Sequence, residues 1–391
     1  MKFKKIASLV LSATMIAALA GCGQTAAPAA QPAEQAEEAA AETAEAVEEA
    51  VEEEAAAAEE AVEEVAEEAA ATAEAATEEI DYASIPQSVK GDVVTLKFNF
   101  VKTSSDPEYG WYAKYFNDIY EATNHEVGYE LYPSEALGGS ADVLEMAANG
   151  EDVVQDCDFS YLATYVPDIA VAMSPYLIQE PEQIVKLWKS EVGQEWEKGL
   201  EEKGLHFLDI HYFGTRNLIC NKEVHTRDDM KSLKIRCAAT PMWNEVVRVL
   251  GGNATNTAWS ETYQALSQGV ADGAESPYGL LYSSKLYEPC KYIINTNHLV
   301  AATTVVMSQA TFEKLSPEAQ KALDEVATDF AVTQIDRVNK VTEEYKTKLE
   351  AEGVTFIDID KTEFIEAAQD TPNYFPEWSE GLYERVQNAI K

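Results

Sequence analysis

One apolar stripe sets the size of this fold. Ser316-Pro317-Glu318 opens a helix and Gly353 closes it. Between them Leu323, Val326, Phe330, Ile335, Val338, Val341, Tyr345 and Leu349 recur on one face. Serine caps a helix start, and proline suits the first helical position, where its missing N–H has no partner to lose. A helix over 316–352 is about 55 Å long at 1.5 Å per residue, longer than a small domain is wide. It has to run from one lobe of a larger body to another. The stripe is not a sustained heptad, which argues against a coiled-coil dimer.

The residues before it alternate in period. Strand patterns fall at 93–101, 127–132, 205–212 and 233–238. Helical patterns start near Glu108 and cover 183–200 and 242–250. Two shorter ones are expected with serine caps: Ser140, running through 146 to a stop at Gly150, and Ser260, covering 261–268 to a stop at Gly269. Strand–helix alternation implies a mostly parallel sheet with covering helices. Roughly 300 residues are too many for one small core and suit two lobes.

The N-terminus has a different character. Lys2, Lys4 and Lys5 precede an apolar run over 6–20, and Leu19-Ala20-Gly21-Cys22 follows. That run is signal-peptide length and too short to span a bilayer. The sequence 1–22 therefore reads as an export signal resembling a lipobox, with Cys22 as the lipidated first residue of the mature chain. Residues 23–88 form a spacer dominated by alanine and glutamate. Its strong helix formers compete with unrelieved glutamate repulsion, so it reads as semi-rigid and partly helical.

Charge narrows the class of partner. The net charge is −40, and 19 of the 69 acids but none of the 29 bases lie in 24–80. With the three N-terminal lysines set aside, 50 acids face 26 bases over 81–391, a net −24. Such a body lacks the basic footprint that nucleic acid requires. An anionic ligand would need its own local positive charge, since salt screens the wider field beyond about 8 Å.

Motifs for covalent, metal or nucleotide chemistry are missing from the sequence. No Gly-x-Gly-x-x-Gly or phosphate loop follows a strand, and no Gly-x-Ser-x-Gly is present. His125, His206, His211, His225 and His298 are scattered, without metal-ligand spacing. No cofactor or metal is expected. Cys157, Cys220, Cys237 and Cys290 form no Cys-x-x-Cys and are expected to be reduced and buried.

What stands out is 231–277. Lys231-Ser232-Leu233-Lys234-Ile235-Arg236 places one arginine in an apolar strand pattern. Trp259-Ser260-Glu261-Thr262-Tyr263-Gln264-Ala265-Leu266 and Gly269-Val270-Ala271-Asp272-Gly273 follow. Together with Leu131-Tyr132-Pro133-Ser134, Gly214-Thr215-Arg216, Tyr287-Glu288-Pro289-Cys290 and Thr296-Asn297-His298, in that family's order, the chain resembles the substrate-binding proteins of TRAP transporters, the DctP-like family. The likeness spans nearly all of the globular part.

The resemblance implies a two-lobed α/β, periplasmic-binding-protein-like (Venus-flytrap) fold: lobe I at 89–213 and 302–341, lobe II at 214–301 and 342–391. It implies a receptor that closes on a small organic acid and delivers it to a small and a large membrane subunit. It places the carboxylate-binding arginine at Arg236, where a guanidinium offers a planar two-pronged fork that stays charged when buried. Arg216 follows as a second positive contact or as an ion pair near the hinge. Trp259 is expected as an apolar wall. Ser276 stands where the family often has asparagine, with Glu275 beside it able to compensate. Ser160 is expected from the first lobe. A sensory receptor and an extracytoplasmic enzyme on the same scaffold are the alternatives. C4-dicarboxylates, sugar acids, keto acids and aromatic acids all remain open as ligands.

Overall fold

The computed structural model describes residues 81–391; the signal, Cys22 and most of the spacer lie outside the described residues. Ten strands among the described residues form one mixed sheet. They are β1 (Ser88–Val89), β2 (Val94–Asn99), β3 (Val127–Tyr132), β4 (Val153–Cys157), β5 (Leu205–Cys220), β6 (Lys234–Cys237), β7 (Asn253–Asn256), β8 (Gly273–Ser276), β9 (Tyr292–Ser308) and β10 (Thr355–Ile357). Their order is β1-β3-β2-β4-β9-β5-β8-β6-β7, with β10 beside β9.

The two long strands organise everything. β5 and β9 run antiparallel over almost their whole length. One end of the pair meets β4, and β2, β3 and β4 are parallel there. The other end meets β8, and β6, β7 and β8 are parallel there. The expected parallel sheet is therefore found in each half, and an antiparallel crossing joins the halves. That crossing extends β5 well past the expected end at 212, because 213–220 continues the apolar run that pairs with β9.

Between Tyr212 and Gly214 the register slips by one residue, opposite Ala302 and Ala301. Gly214 sits at φ 124°, and a Cβ there would meet Cβ of Pro277 at 2.7 Å. Only glycine suits this bend.

Seven helices matter for the site: α1 (Pro107–Ala122), α2 (Ser140–Ala148), α3 (Phe159–Leu162), α4 (Pro241–Leu250), α5 (Thr262–Ser267), α6 (Tyr278–Ser283) and α7 (Pro317–Ala351). α7 is the long helix read from the stripe. Ser316 caps it by accepting from the Ala319 N–H at 3.1 Å, and Gly353 follows it at φ 80°. Its Phe330 stacks on Tyr115 of α1 with ring centroids 4.2 Å apart. Further along, Tyr345 lies against Tyr282 and Gly279 of α6. α7 thus ties the two halves together.

Local expectations needed three corrections. The helix expected over 183–200 is two, Glu182–Lys189 and Glu191–Glu201. Ser190 adopts extended backbone between them and caps the second. Ser140 opens α2 as its first residue, and Gly139 is the N-cap. Ser260 does not cap; it lies inside a 3₁₀ turn, Trp259–Glu261, that leads into α5. In the last two cases, a capping side chain sits one or two residues too far along to reach the free N–H groups. The four cysteines among the described residues are free and buried.

Candidate functional site

Parallel strands end where a crevice can form, and the polar groups of this protein converge on such ends. Arg236 is the third residue of β6, paired in register with Thr255 of β7 and Ala274 of β8. It is 4 % exposed. Its Nε and Nη2 donate to the Thr257 carbonyl at 3.2 and 2.6 Å, and the guanidinium lies over the Trp259 ring at 5.1 Å. Among the described residues, arginines form ion pairs at Arg216, Arg248 and Arg385, and none within 4.0 Å at Arg236. Burial pulls its pKa down and Glu275 pushes back. A guanidinium remains charged through such shifts. Arg236 is thus a buried cation without a carboxylate.

Arg216 is the opposite case. From β5 it grips Glu275 on the adjacent β8 with both prongs, Nε to Oε2 at 2.5 Å and Nη2 to Oε1 at 2.9 Å. Its guanidinium rests on the Trp243 ring at 4.6 Å. His298 Nε2 lies 3.3 Å from the same Glu275 oxygen, and its Nδ1 lies 2.8 Å from the Thr296 hydroxyl. Burial alone pushes Glu275 up, but Arg216 and His298 together hold it below its ordinary value. Burial pushes His298 down, and Glu275 pushes back. The Arg216 charge is neutralised within the protein.

The first half supplies acceptors. Asp158, just past β4, caps α3 by accepting from Ser160 N–H at 2.8 Å and from its hydroxyl at 2.5 Å. Its other oxygen accepts from Trp243 Nε1 of α4 at 3.0 Å. That bond joins the two halves directly. Burial pushes Asp158 up, as it does Asp156, which accepts from the hydroxyls of Tyr112 and Thr303. Glu135 follows β3 in a turn where Ser134 and Glu135 both have positive φ, 58° and 56°. One Glu135 oxygen accepts from Ser140 N–H and hydroxyl at 3.3 and 3.0 Å.

These groups surround a cavity of about 70 Å³ between the halves, with Glu135, Asp158, Tyr161, Arg216, Arg236 and Trp259 on its wall. It opens toward an outer cleft of about 500 Å³ that shares Val101, Glu135 and Trp259 with it. Of the residues expected from sequence, Arg236, Arg216, Trp259 and Glu275 come together on this wall. Ser276 is fully buried beside it, its hydroxyl without a partner among the described residues. Ser160 is turned to the Asp158 carboxylate. Neither serine is on the wall.

Sequence reasoning missed Glu135, Asp158, Tyr161 and Trp243. Asp158 and Tyr161 flank Ser160, the residue expected from the first lobe, just past the end of β4. Glu135 adjoins the quoted Leu131-Tyr132-Pro133-Ser134. Trp243 had no signal beyond being an aromatic in an amphipathic helix. Among the described residues no group of three or more His, Cys, Asp or Glu is placed to hold a metal ion. No described helix is long and apolar enough to cross a membrane.

Comparison with known proteins gives this arrangement a context. The model of the bacterial extracellular solute-binding proteins, family 7, matches residues 98–376. The 2,3-diketo-L-gulonate-binding periplasmic protein of Escherichia coli is 28 % identical over 276 residues, 70 % of this chain and 84 % of that protein. A TRAP periplasmic solute-binding protein of Ochrobacterium anthropi, solved with bound L-fuconate, superposes with a TM-score of 0.74 at 31 % identity, covering 76 % of this chain and all of that one. One from Actinobacillus succinogenes, solved with L-galactonate, gives 0.73 at 27 % identity, covering 76 % and 99 %. With its motifs, its two-lobed fold and a family match across most of the described residues, this chain belongs to family 7 of the bacterial extracellular solute-binding proteins, the TRAP solute receptors.

Proposed function

We propose that this receptor captures a small organic acid by its carboxylate at Arg236 and presents it to the small and large membrane subunits of a TRAP-type transporter. One observation carries the reading: Arg236 is a buried fork with no carboxylate of its own, on the wall of a cavity between two lobes. A carboxylate ligand completes it as a charge-assisted, two-pronged pair. Trp259 lies against the same guanidinium and offers a flat apolar wall to the ligand's carbon skeleton. Arg216 and Glu275 hold the floor rigid as a neutral pair. The relatives that bind diketogulonate, fuconate and galactonate agree with an acid ligand. The test is calorimetry on an organic-acid panel with the native protein and Arg236→Ala, argued below.

Closure follows from the same geometry. The lobes bend at Gly214 opposite Ala301, and the Trp243–Asp158 hydrogen bond ties them together at the cavity. A ligand favours the closed form only by binding it more tightly. Trp243→Phe keeps the ring under Arg216 and removes the N–H donor. Hydrogen bonds to charged groups contribute roughly 1.5–3 kcal/mol. The expected result is a Kd about tenfold weaker, with a larger radius of gyration at subsaturating ligand. Unchanged affinity would sink the latch.

Cys22 and the spacer complete the placement: the receptor is exported and held by lipid at the outer face of the cytoplasmic membrane. Replacing Cys22 by alanine is expected to move the protein from the membrane fraction to the soluble extracytoplasmic fraction. Retention in the membrane would contradict the anchor.

A further inference from the structure

The cavity is asymmetric in charge. Its wall holds two arginines and four carboxylates, at Glu135, Asp156, Asp158 and Glu275. Arg216 and Glu275 cancel each other. That leaves one free cation, Arg236, facing three acids from the first half. Asp156 and Asp158 already accept from two donors each, counting Ser160 once. Glu135 differs: both of its hydrogen bonds fall on Oε1, and Oε2 has no protein donor among the described residues. Glu135 also stands with Trp259 where the inner cavity meets the outer cleft. Two successive non-glycine residues at positive φ hold it there, a backbone arrangement that costs energy and is kept only where the surroundings enforce it.

The inner cavity is small. About 70 Å³ admits a carboxylate and a few adjoining atoms, so a longer acid seated on Arg236 has to pass between Trp259 and Glu135. We infer that Glu135 reads the body of the ligand: it accepts a hydrogen bond from a hydroxyl there and repels a second carboxylate, so that the receptor takes hydroxylated monocarboxylic acids and refuses dicarboxylic ones. The inference rests on Arg236 binding the carboxylate. Hydroxyls fit because an ionised carboxylate is only an acceptor. A dicarboxylate fails because its second charge meets Glu135 with no cation left to pair it, and like-charge juxtaposition is a common means of rejecting a wrong partner. An alkanoate fails because it leaves Glu135 without a donor after desolvation, the situation in which polar sites discriminate most strongly.

The probes are matched in length: five- and six-carbon aldonates including L-galactonate, the corresponding aldarates, the plain alkanoates and the neutral alditols. Calorimetry is run on native protein and on Glu135→Gln, with unfolding midpoints measured to confirm that the variant is folded. The expected result is at least one aldonate bound a hundredfold or more tighter than its aldarate and its alkanoate. Glu135→Gln should narrow the aldonate-to-aldarate ratio at least tenfold. Aldarates or C4-dicarboxylates binding as tightly as aldonates, or no aldonate binding, overturns the inference. So does an unchanged ratio in a folded Glu135→Gln. The native panel alone decides if the variant does not fold. Alditols binding as well as aldonates would instead refute the carboxylate reading, so the two failures are separable.

Discussion

Arg236→Ala is expected to weaken binding of the acid by about two to three and a half decades. The substitution leaves the ligand's carboxylate desolvated in the cavity without its cation, which costs roughly 3–5 kcal/mol, each 1.4 kcal/mol being tenfold. The stability of the unliganded protein should change much less, because Arg236 holds the Thr257 carbonyl and hydroxyl and the Trp259 ring, with no carboxylate to strand. Arg236→Lys should recover little, since an ammonium presents a point charge where two parallel hydrogen bonds are needed. Titration calorimetry with the tightest acid of the panel gives both numbers. Unchanged affinity in Arg236→Ala removes the clamp.

The second large effect is on stability. Glu275→Ala leaves Arg216 buried at the lobe junction without its carboxylate and takes the acceptor from His298. Breaking a buried pair from one side typically costs about 3–5 kcal/mol. The midpoint of urea unfolding should fall accordingly, and a loss below about 1 kcal/mol would mean that water replaces Glu275 without penalty. The pair also carries a pH signature. Glu275 is held below its ordinary value of 4.5, so its contribution is fully present above that pH and is lost as the pH falls through its lower folded value. The acid limb of the native stability curve should steepen there, and Glu275→Gln should flatten it.

Both effects come from one design choice that the sequence only partly displays. The motif around Arg236 and the motif around Arg216 look alike on paper: an arginine near a strand end among apolar neighbours. What separates them is Glu275, which β8 places beside β5 through the pairing of Leu218 with Glu275. No local pattern reports that pairing, so the paired arginine and the unpaired one become distinguishable only when the sheet forms. The long helix was legible because its cap, stripe and glycine exit are all local. The β5–β9 crossing was not, because 299–307 mixes apolar residues with Thr303 and Thr304 and shows no period to read. Strand and helix order survived such ambiguities; the exact caps at Ser140 and Ser260 did not.

The same limit shifts attention within the site. Ser276, the departure from the family's usual asparagine, is expected from the sequence at the binding site. In the structure it is fully buried and off the cavity wall. Glu135 is on the wall, but its placement depends on two positive-φ residues that no propensity rule would assign to serine and glutamate. Residues whose roles arise from strain or from cross-strand pairing are the ones sequence reading passes over.

The most direct measurement is a crystal structure of the receptor with the tightest acid of the panel. The ligand carboxylate is expected on Arg236 with two N–H···O distances of about 2.7–2.9 Å, the values for charge-assisted pairs. Arg216 is expected to be held by Glu275 still. A carboxylate bound elsewhere, or Arg216 released from Glu275 to take it while Arg236 stays on Thr257, would contradict the clamp at Arg236.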